Sequence, residues 1–190
     1  IGIVMMGQTQ EICPADKKMY ALRDVTGTIE SIPLICSSIM SKKIAEGIEG
    51  LVLDVKFGNG AFMKNIEDAQ TLGRMLIRIG EHFGINTNVV FSNMNQPLGK
   101  TAGLWCEVQE AIDSLQGNGP DDTMEITFEL GSHLLQQAKV SNTRDEAISI
   151  QKSMIESGKA FDKFLEMVET QGGNPEAIEQ NKNIHTPLFE

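Results

Sequence analysis

The sequence predicts an α/β fold with a largely parallel or mixed sheet flanked by helices, and a small part of a helical lobe near the N-terminal third. Two features of the chain support this fold class. Short apolar runs of strand length alternate with longer segments whose apolar residues recur at helical spacing. Glycine, proline and asparagine residues that favour turns separate these segments, and no internal repeat interrupts the order.

The N-terminal part of the chain predicts two strands around a helix. Ile1–Met6 is a continuous apolar run that ends at Gly7, as is typical of a strand buried on both faces. Pro33–Glu46 is predicted to be a helix, because proline is tolerated in a first turn and isoleucines then recur at helical spacing. Leu51–Lys56 is the clearest strand and runs into a glycine-rich turn.

The remainder of the chain predicts one more strand and several helices. Asn65 is a suitable N-cap for an amphipathic helix over Ile66–His82, and a third strand follows over Asn86–Ser92. Further helices are predicted near Ala102–Leu115, over Thr123–Gln137, and as one or two segments within Asp145–Thr170.

Composition excludes several classes of protein. Sixteen Lys and Arg residues against 26 Asp and Glu give a net charge of −10, so a nucleic-acid duplex would meet net repulsion. No apolar run approaches the ~20 residues that span a bilayer, and we expect neither a nucleic-acid nor a membrane partner. Cys13, Cys36 and Cys106 lack disulfide or zinc spacing, which predicts reduced packing residues in a cytoplasmic protein.

The predicted helix over Pro33–Glu46 carries a group of residues that suits a flat heterocycle. Ser38 and Lys42 are four residues apart and project from the same side, next to Ile35 and Ile39. The isoleucines would cover the ring while Ser38, Lys42 and the preceding Arg23 donate hydrogen bonds to its edge. Spacing alone favours a simpler alternative, an ordinary solvated lysine beside a serine without a special role.

The segment Asp54–Phe62 joins a strand to a glycine-rich turn. Such glycines let backbone amides approach an anion or a ring closely. The segment lacks the third glycine of a dinucleotide site and the Lys-Ser/Thr of a nucleotide-binding loop, so a structural turn is the better interpretation. Phe62 is either a pocket wall or a core residue.

The loop Pro97–Thr101 could form a cation site with Glu110 from the next predicted helix. Loop carbonyls and one carboxylate can coordinate a monovalent or hard divalent cation through oxygen. Glu110 is equally compatible with an exposed position on that helix. The three histidines, His82, His133 and His185, are isolated in sequence and give no sign of a catalytic triad.

Six segments follow one another in the order of motifs from a known enzyme family. They are Ala15–Asp24, Glu30–Ile35, Ser37–Lys43, Leu53–Lys56, Gly60–Met63 and Gln96–Gly99. Similarity runs from about Gly7 to Leu134 and resumes weakly at Gln171–Gly173. On these motifs the chain resembles the pyrimidine nucleoside phosphorylase and thymidine phosphorylase family.

The resemblance implies reversible phosphorolysis, in which a pyrimidine nucleoside (thymidine, deoxyuridine or uridine) and phosphate give the free base and (deoxy)ribose 1-phosphate. Phosphate is then a co-substrate, no organic cofactor is expected, and the intact protein is expected to be a homodimer. Residues 1–14 would be a strand and turn of the α/β lobe, 15–48 a helical-lobe segment with base-binding residues, and 49–190 the α/β lobe.

The resemblance also implies roles for individual residues. The family's base-binding arginine, serine and lysine fall on Arg23, Ser38 and Lys42, of which Arg23 and Lys42 would also be catalytic. The base pocket would be lined by Tyr20, Ile35, Ile39 and Phe62. A potassium ion, K⁺, would be held by Leu98, Thr101 and Glu110, although the family usually has alanine where Thr101 stands.

The chain departs from the family in what it lacks. A phosphate-binding loop of the K-x-S-T-G-G-x-G-D type and its neighbouring histidine are absent, and the usual C-terminal part is not recognisable. We therefore expect a central segment of a longer protein that is inactive alone. Two alternatives stay open: a nucleoside-monophosphate phosphorylase or phosphoribosyltransferase of the same architecture, and a non-catalytic dimerising or ligand-binding module.

Overall fold

The computed structural model describes residues 1–7 and 11–180, which form an α/β structure as predicted. Its elements are α1 (Pro14–Val25), α2 (Ile32–Ala45), β1 (Gly50–Phe57), α3 (Ile66–His82), β2 (Asn86–Asn93), α4 (Leu104–Leu115), α5 (Asp121–Gln137), α6 (Arg144–Glu156), α7 (Lys159–Thr170) and α8 (Glu176–Gln180). The two strands pair in parallel, with Gly50 opposite Asn86 and Phe57 opposite Asn93. None of the described helices combines the length and hydrophobicity needed to cross a bilayer.

The chain separates into two compact units. The first contains Ile1–Met6, Leu98–Phe128 and Ile148–Glu190, the last described as far as Gln180. The second contains Gly7–Pro97 and Glu129–Ala147, and we call it the sheet unit because it holds β1 and β2. The lobe boundaries implied by the family resemblance stay a prediction.

The core of the sheet unit lies between the sheet and the two helices α2 and α3. Asn65 caps α3 as predicted, its side chain accepting a hydrogen bond from the Asp68 N–H at 2.8 Å. The apolar stripe of α3 then packs on the sheet and on α2. The buried members of this core are Cys36, Met40, Leu51, Val55, Met63, Ala69, Leu72, Leu76 and Ile85.

Two glycines on α3 allow the helix to approach β2 closely. A Cβ atom at Gly73 would lie 3.0 Å from the Phe91 ring and 3.1 Å from Val89, and one at Gly80 would overlap the Thr87 side chain. Because glycine has no Cβ, the helix backbone packs directly against the strand at both places. This contact packs α3 directly onto the sheet.

The predicted strand at Ile1–Met6 is wrong. These residues have no regular secondary structure, and Val4 and Met5 are 64% and 70% exposed. A strand needs a partner for its backbone groups, and the described sheet consists of β1 and β2. The backbone of Met5 instead forms two hydrogen bonds with the side-chain amide of Gln171. The Met5 N–H donates to Oε1 at 3.1 Å, and the Met5 carbonyl accepts from Nε2 at 2.7 Å.

The three cysteines are free thiols in different environments. Cys36 is 1% exposed, and burial raises the pKa of its thiol to about 11. Cys13 is half-buried, and its Sγ donates to the Ser41 carbonyl at 3.2 Å. Cys106 is exposed, so the prediction that all three are packing residues is wrong for Cys106.

We expect a thiol reagent at about pH 8 to label Cys106 rapidly and to leave Cys36 unmodified in the folded protein. The thiolate is the reactive form, and the raised pKa keeps Cys36 protonated until the pH approaches about 11. Mass spectrometry of the labelled protein, with and without urea, measures both sites. Cys106→Ser is the control that removes the fast reaction, and rapid labelling of Cys36 in folded protein would contradict its burial.

Candidate functional site

Lys42 is held in place by side chains from α1 and α2. Its Nζ donates to Ser38 Oγ at 3.0 Å and forms an ion pair with Asp16 Oδ2 at 2.7 Å. The three side chains are largely buried, with Asp16 10% and Lys42 23% exposed. Lys42 is therefore a fixed cation rather than a solvated lysine. Since an ammonium has three N–H donors, one remains for a ligand.

Arg23 lies in the last turn of α1 and is 5% exposed. Its Nη2 donates to the Ile29 carbonyl, and its guanidinium carbon lies 5.1 Å from the centre of the Tyr20 ring. The buried Nε has no hydrogen-bond partner among the described residues. Since an unpartnered buried donor costs about 1–3 kcal/mol, a ligand oxygen that accepted this hydrogen bond would gain correspondingly.

Ile35, Ile39 and Phe62 line one cavity of about 490 Å³ in the sheet unit. This volume suits a small molecule, since ligand pockets commonly measure about 300–1,000 Å³. Phe62 is 57% exposed, so it forms a wall of the cavity rather than part of the core. Tyr20, Arg23, Ser38 and Lys42 are not among the lining residues.

Helix α2 links the apolar and polar parts of the predicted base site. It supplies Ile35 and Ile39 to the cavity, and Ser38 and Lys42 to the polar group with Asp16. The structure thus places the predicted residues in three groups: Ile35, Ile39 and Phe62 at the cavity, Ser38 and Lys42 with Asp16, and Arg23 against Tyr20. A largely apolar cavity with a few polar groups is typical of a small-molecule site.

The glycine-rich turn after β1 is occupied by the protein itself. The amides of Gly58, Asn59 and Gly60 donate to the Met63 carbonyl, to Asn95 Oδ1 and to the Met94 carbonyl, each at 2.9 Å. These N–H groups are therefore not free to bind an anion. The contacts favour the interpretation of this segment as a structural turn that positions Phe62.

The predicted cation loop lies in the first unit, where Glu110 of α4 folds back onto residues 98–101. Glu110 Oε2 accepts a hydrogen bond from the Lys100 N–H at 2.8 Å, and a Cβ at Gly99 would overlap Oε1. Asp122 accepts from the Gly99 N–H at 3.1 Å, and this hydrogen bond holds the pKa of its carboxyl below the usual value. Glu110 thus contacts the loop at Gly99 and Lys100, which lie between the predicted ligands Leu98 and Thr101.

Across residues 1–7 and 11–180, no three His, Cys, Asp or Glu side chains cluster as a metal site. A cation at the loop would consequently depend on backbone carbonyls together with Glu110. Of the isolated histidines, His82 packs against Phe83 and His133 lies 3.5 Å from Glu129. His185 lies outside the described residues.

Sequence reasoning missed Asp16 and Ser92 as members of polar clusters. Asp16 is acidic in the first turn of α1 and pairs with Lys42, while Ser92 lies beside Lys56 on the neighbouring strand. A polar residue near the end of each of two parallel strands was the available signal for Ser92, because such strand ends meet at one edge of a sheet. No local pattern pointed to Asp16.

Comparisons with known proteins cover both units of the chain. Residues 1–161 match the glycosyl transferase family, a/b domain. The chain is 47% identical over 188 residues to the pyrimidine-nucleoside phosphorylase of Staphylococcus haemolyticus, covering 99% of this chain and 43% of that protein. It is 49% identical over 182 residues to the Staphylococcus aureus protein of the same name, covering 96% and 42%. The chain thus spans less than half the length of these relatives.

Proposed function

The chain belongs to the glycosyl transferase family through its a/b domain, and we infer from this membership that it takes part in the reversible phosphorolysis of pyrimidine nucleosides. Its similarity to proteins named pyrimidine-nucleoside phosphorylases supports the reaction class. The observation that carries the proposal is the buried Arg23 together with the fixed ammonium of Lys42, which lies on the helix that also supplies Ile35 and Ile39 to the cavity. Thymidine, deoxyuridine and uridine are the proposed nucleosides, with phosphate as co-substrate.

In the proposed reaction, negative charge develops on the departing pyrimidine and positive charge develops on the sugar. Phosphate oxygen forms a bond to the anomeric carbon of the sugar while the bond from that carbon to the base nitrogen breaks. The electron pair of the broken bond remains on the pyrimidine, whose ring oxygens become more negative. Arg23 and Lys42 stabilise that negative charge as it develops, because donors fixed in advance need no reorganisation. Ser38 orients Lys42 and the ring edge.

We propose that a K⁺ ion binds at the loop of residues 98–101, held by the carbonyls of Leu98 and Thr101 and the carboxylate of Glu110. The donor set fits, since all three groups supply oxygen and Glu110 already contacts this loop. A carbonyl ligand depends little on its own side chain, so threonine at position 101 is compatible. The cation would offset the charge of Glu110 and tie the loop to α4.

Potassium chloride is expected to raise the melting temperature above the value in an equal concentration of lithium chloride. A ligand at about 100 times its dissociation constant stabilises the folded state by ~2.7 kcal/mol, which amounts to several degrees for a chain of this size. Glu110→Gln should abolish the difference, while Glu125→Gln, an exposed carboxylate on α5, should retain it. Equal melting temperatures in the two salts would exclude the ion site.

Asp16→Asn is expected to lower kcat/KM for nucleoside phosphorolysis roughly tenfold. Asparagine keeps the shape of the side chain but removes the charge that fixes the Lys42 ammonium. Steady-state rates measure the effect, with Asp24→Asn, an exposed change on the same helix, as the control. Asp16→Glu should recover part of the loss. Unchanged kinetics would mean that Ser38 alone positions Lys42.

The experiment that tests the proposed function is incubation of the full-length gene product with uridine, thymidine and their 5′-monophosphates, with and without phosphate. Chromatography measures the release of free base. We expect release from the nucleosides only, and only when phosphate is present. Release from the monophosphates would favour the nucleotide phosphorylase alternative, and no release from folded protein would favour a ligand-binding module.

A further inference from the structure

Asp54, Lys56 and Ser92 form a polar cluster near the carboxyl ends of β1 and β2. Lys56 Nζ lies 2.7 Å from Asp54 Oδ2 and donates to Ser92 Oγ at 3.0 Å. Ser92 Oγ in turn donates to Asp54 Oδ1 at 2.5 Å. The parallel register places Lys56 directly opposite Ser92, so the sheet itself holds the two side chains together. In open α/β sheets, this is the edge at which ligands bind.

The cluster faces the cavity of about 490 Å³ described above. Asp54 and Lys56 both line it, together with Ile35, Ile39 and Phe62. Asp54 and Ser92 use two of the three N–H donors of Lys56, and among the described residues no third acceptor contacts its Nζ. The Lys56 side chain is 34% exposed. One fixed donor therefore remains available to a molecule in the cavity.

The charges around the cavity indicate the kind of group that Lys56 would bind. Its lining contains two acidic residues, Glu30 and Asp54, and two basic residues, Lys56 and Lys64. Lys64 is directed to backbone, donating to the Ala61 carbonyl at 2.8 Å. Asp54 forms an ion pair with Lys56 and offsets its positive charge. A phosphate group in the cavity would also be repelled by the carboxylates of Glu30 and Asp54. A neutral acceptor oxygen meets no such repulsion.

We propose that Lys56 binds the nucleoside by donating its remaining N–H to a neutral acceptor oxygen, a pyrimidine carbonyl or a sugar hydroxyl. Asp54 and Ser92 act as positioning residues that hold the ammonium toward the cavity. This inference rests on the proposed function, because it assumes that a pyrimidine nucleoside enters this cavity. It adds a third binding lysine or arginine, on the sheet, to the two on α1 and α2.

Calorimetric titration of the full-length gene product with uridine and with uracil tests the inference. We expect Lys56→Met to weaken uridine binding about tenfold or more, since a hydrogen bond from a charged donor is lost. Lys56→Met leaves Asp54 without its ion-pair partner, so the double variant Asp54→Asn/Lys56→Met, which removes both charges, should show the same loss. Lys43→Met, which breaks a partly exposed pair with Glu46 at the C-terminal end of α2, is the matched control and should bind like the original protein.

The ligands distinguish the two sources of the acceptor oxygen. If the Lys56 variants bind both uracil and uridine more weakly, the contact is to a base carbonyl. If they bind only uridine more weakly, the contact is to a sugar hydroxyl. Unchanged affinity in both Lys56 variants, or no nucleoside binding by the original protein, would overturn the inference. Turnover is measured in parallel. Lys56-dependent binding without phosphate-dependent cleavage would reject the proposed function and uphold the inference. Phosphate-dependent cleavage that the Lys56 variants leave unchanged would uphold the proposed function and reject the inference.

Discussion

Replacing Arg23 by alanine is expected to reduce affinity for a pyrimidine base about 10- to 150-fold, and to reduce turnover at least as much. Arg23 is buried with an unpartnered Nε, and a hydrogen bond from a charged donor contributes about 1.5–3 kcal/mol. Stabilisation of the charge on the leaving base adds to the effect on turnover. Ser38→Ala, which removes a neutral hydroxyl, should cost roughly tenfold or less. Calorimetry with uracil and steady-state rates measure both variants.

Two further variants separate the role of Arg23 in binding from its role in packing. Arg23→Lys keeps a positive charge but loses the planar fork, and should fall between the original protein and Arg23→Ala. Arg74→Ala removes an exposed arginine on α3 that donates to Thr71, and should leave affinity unchanged. Equal uracil affinity for Arg23→Ala and the original protein, with both folded, would exclude Arg23 from the base site.

Leu76→Ala is expected to lower the free energy of unfolding of the sheet unit by about 2–5 kcal/mol. Leu76 is 0% exposed at the centre of the core between α3, the sheet and α2, so truncation removes buried contacts and leaves a cavity. Urea denaturation followed by circular dichroism measures the change. Leu104→Ala makes the same chemical change at a residue that is 94% exposed, and should alter the value by less than about 0.5 kcal/mol. A similar decrease in the free energy of unfolding for both variants would contradict the assignment of Leu76 to the core.

The elements that sequence predicted best are those in which several local signals agree. Helix α3 has a capping asparagine, helical periodicity and a terminating glycine, and its predicted bounds, Ile66–His82, are those observed. Helix α1 lacks such agreement between signals. Its apolar residues Met19, Leu22 and Val25 are exposed and its buried residue is Arg23, so its apolar positions do not mark the buried face. Ile1–Met6 has the composition of a strand but has no strand partner among the described residues. Pairing depends on the rest of the fold, which local pattern does not contain.

The candidate site likewise contains some contacts that the local sequence predicts and others that it does not. The four-residue spacing of Ser38 and Lys42 was sufficient to place them together, because helix geometry determines that contact. The partner of Lys42, Asp16, comes from another helix, 26 positions away, and Ser92 reaches Asp54 across 38 positions. Those contacts follow from helix packing and strand register. The orphaned Nε of Arg23 and the cavity at Phe62 likewise exist only in the folded chain.

A crystal structure of the protein with uracil bound would test most directly that Arg23, Ser38 and Lys42 form the base site. We predict that the ring lies against Ile35 and Ile39, with its polar edge about 2.7–3.2 Å from donors of Arg23, Ser38 and Lys42. The buried Arg23 Nε should then have a ligand oxygen as its partner. Uracil bound elsewhere, with these three side chains keeping only the protein contacts described above, would contradict the proposed site.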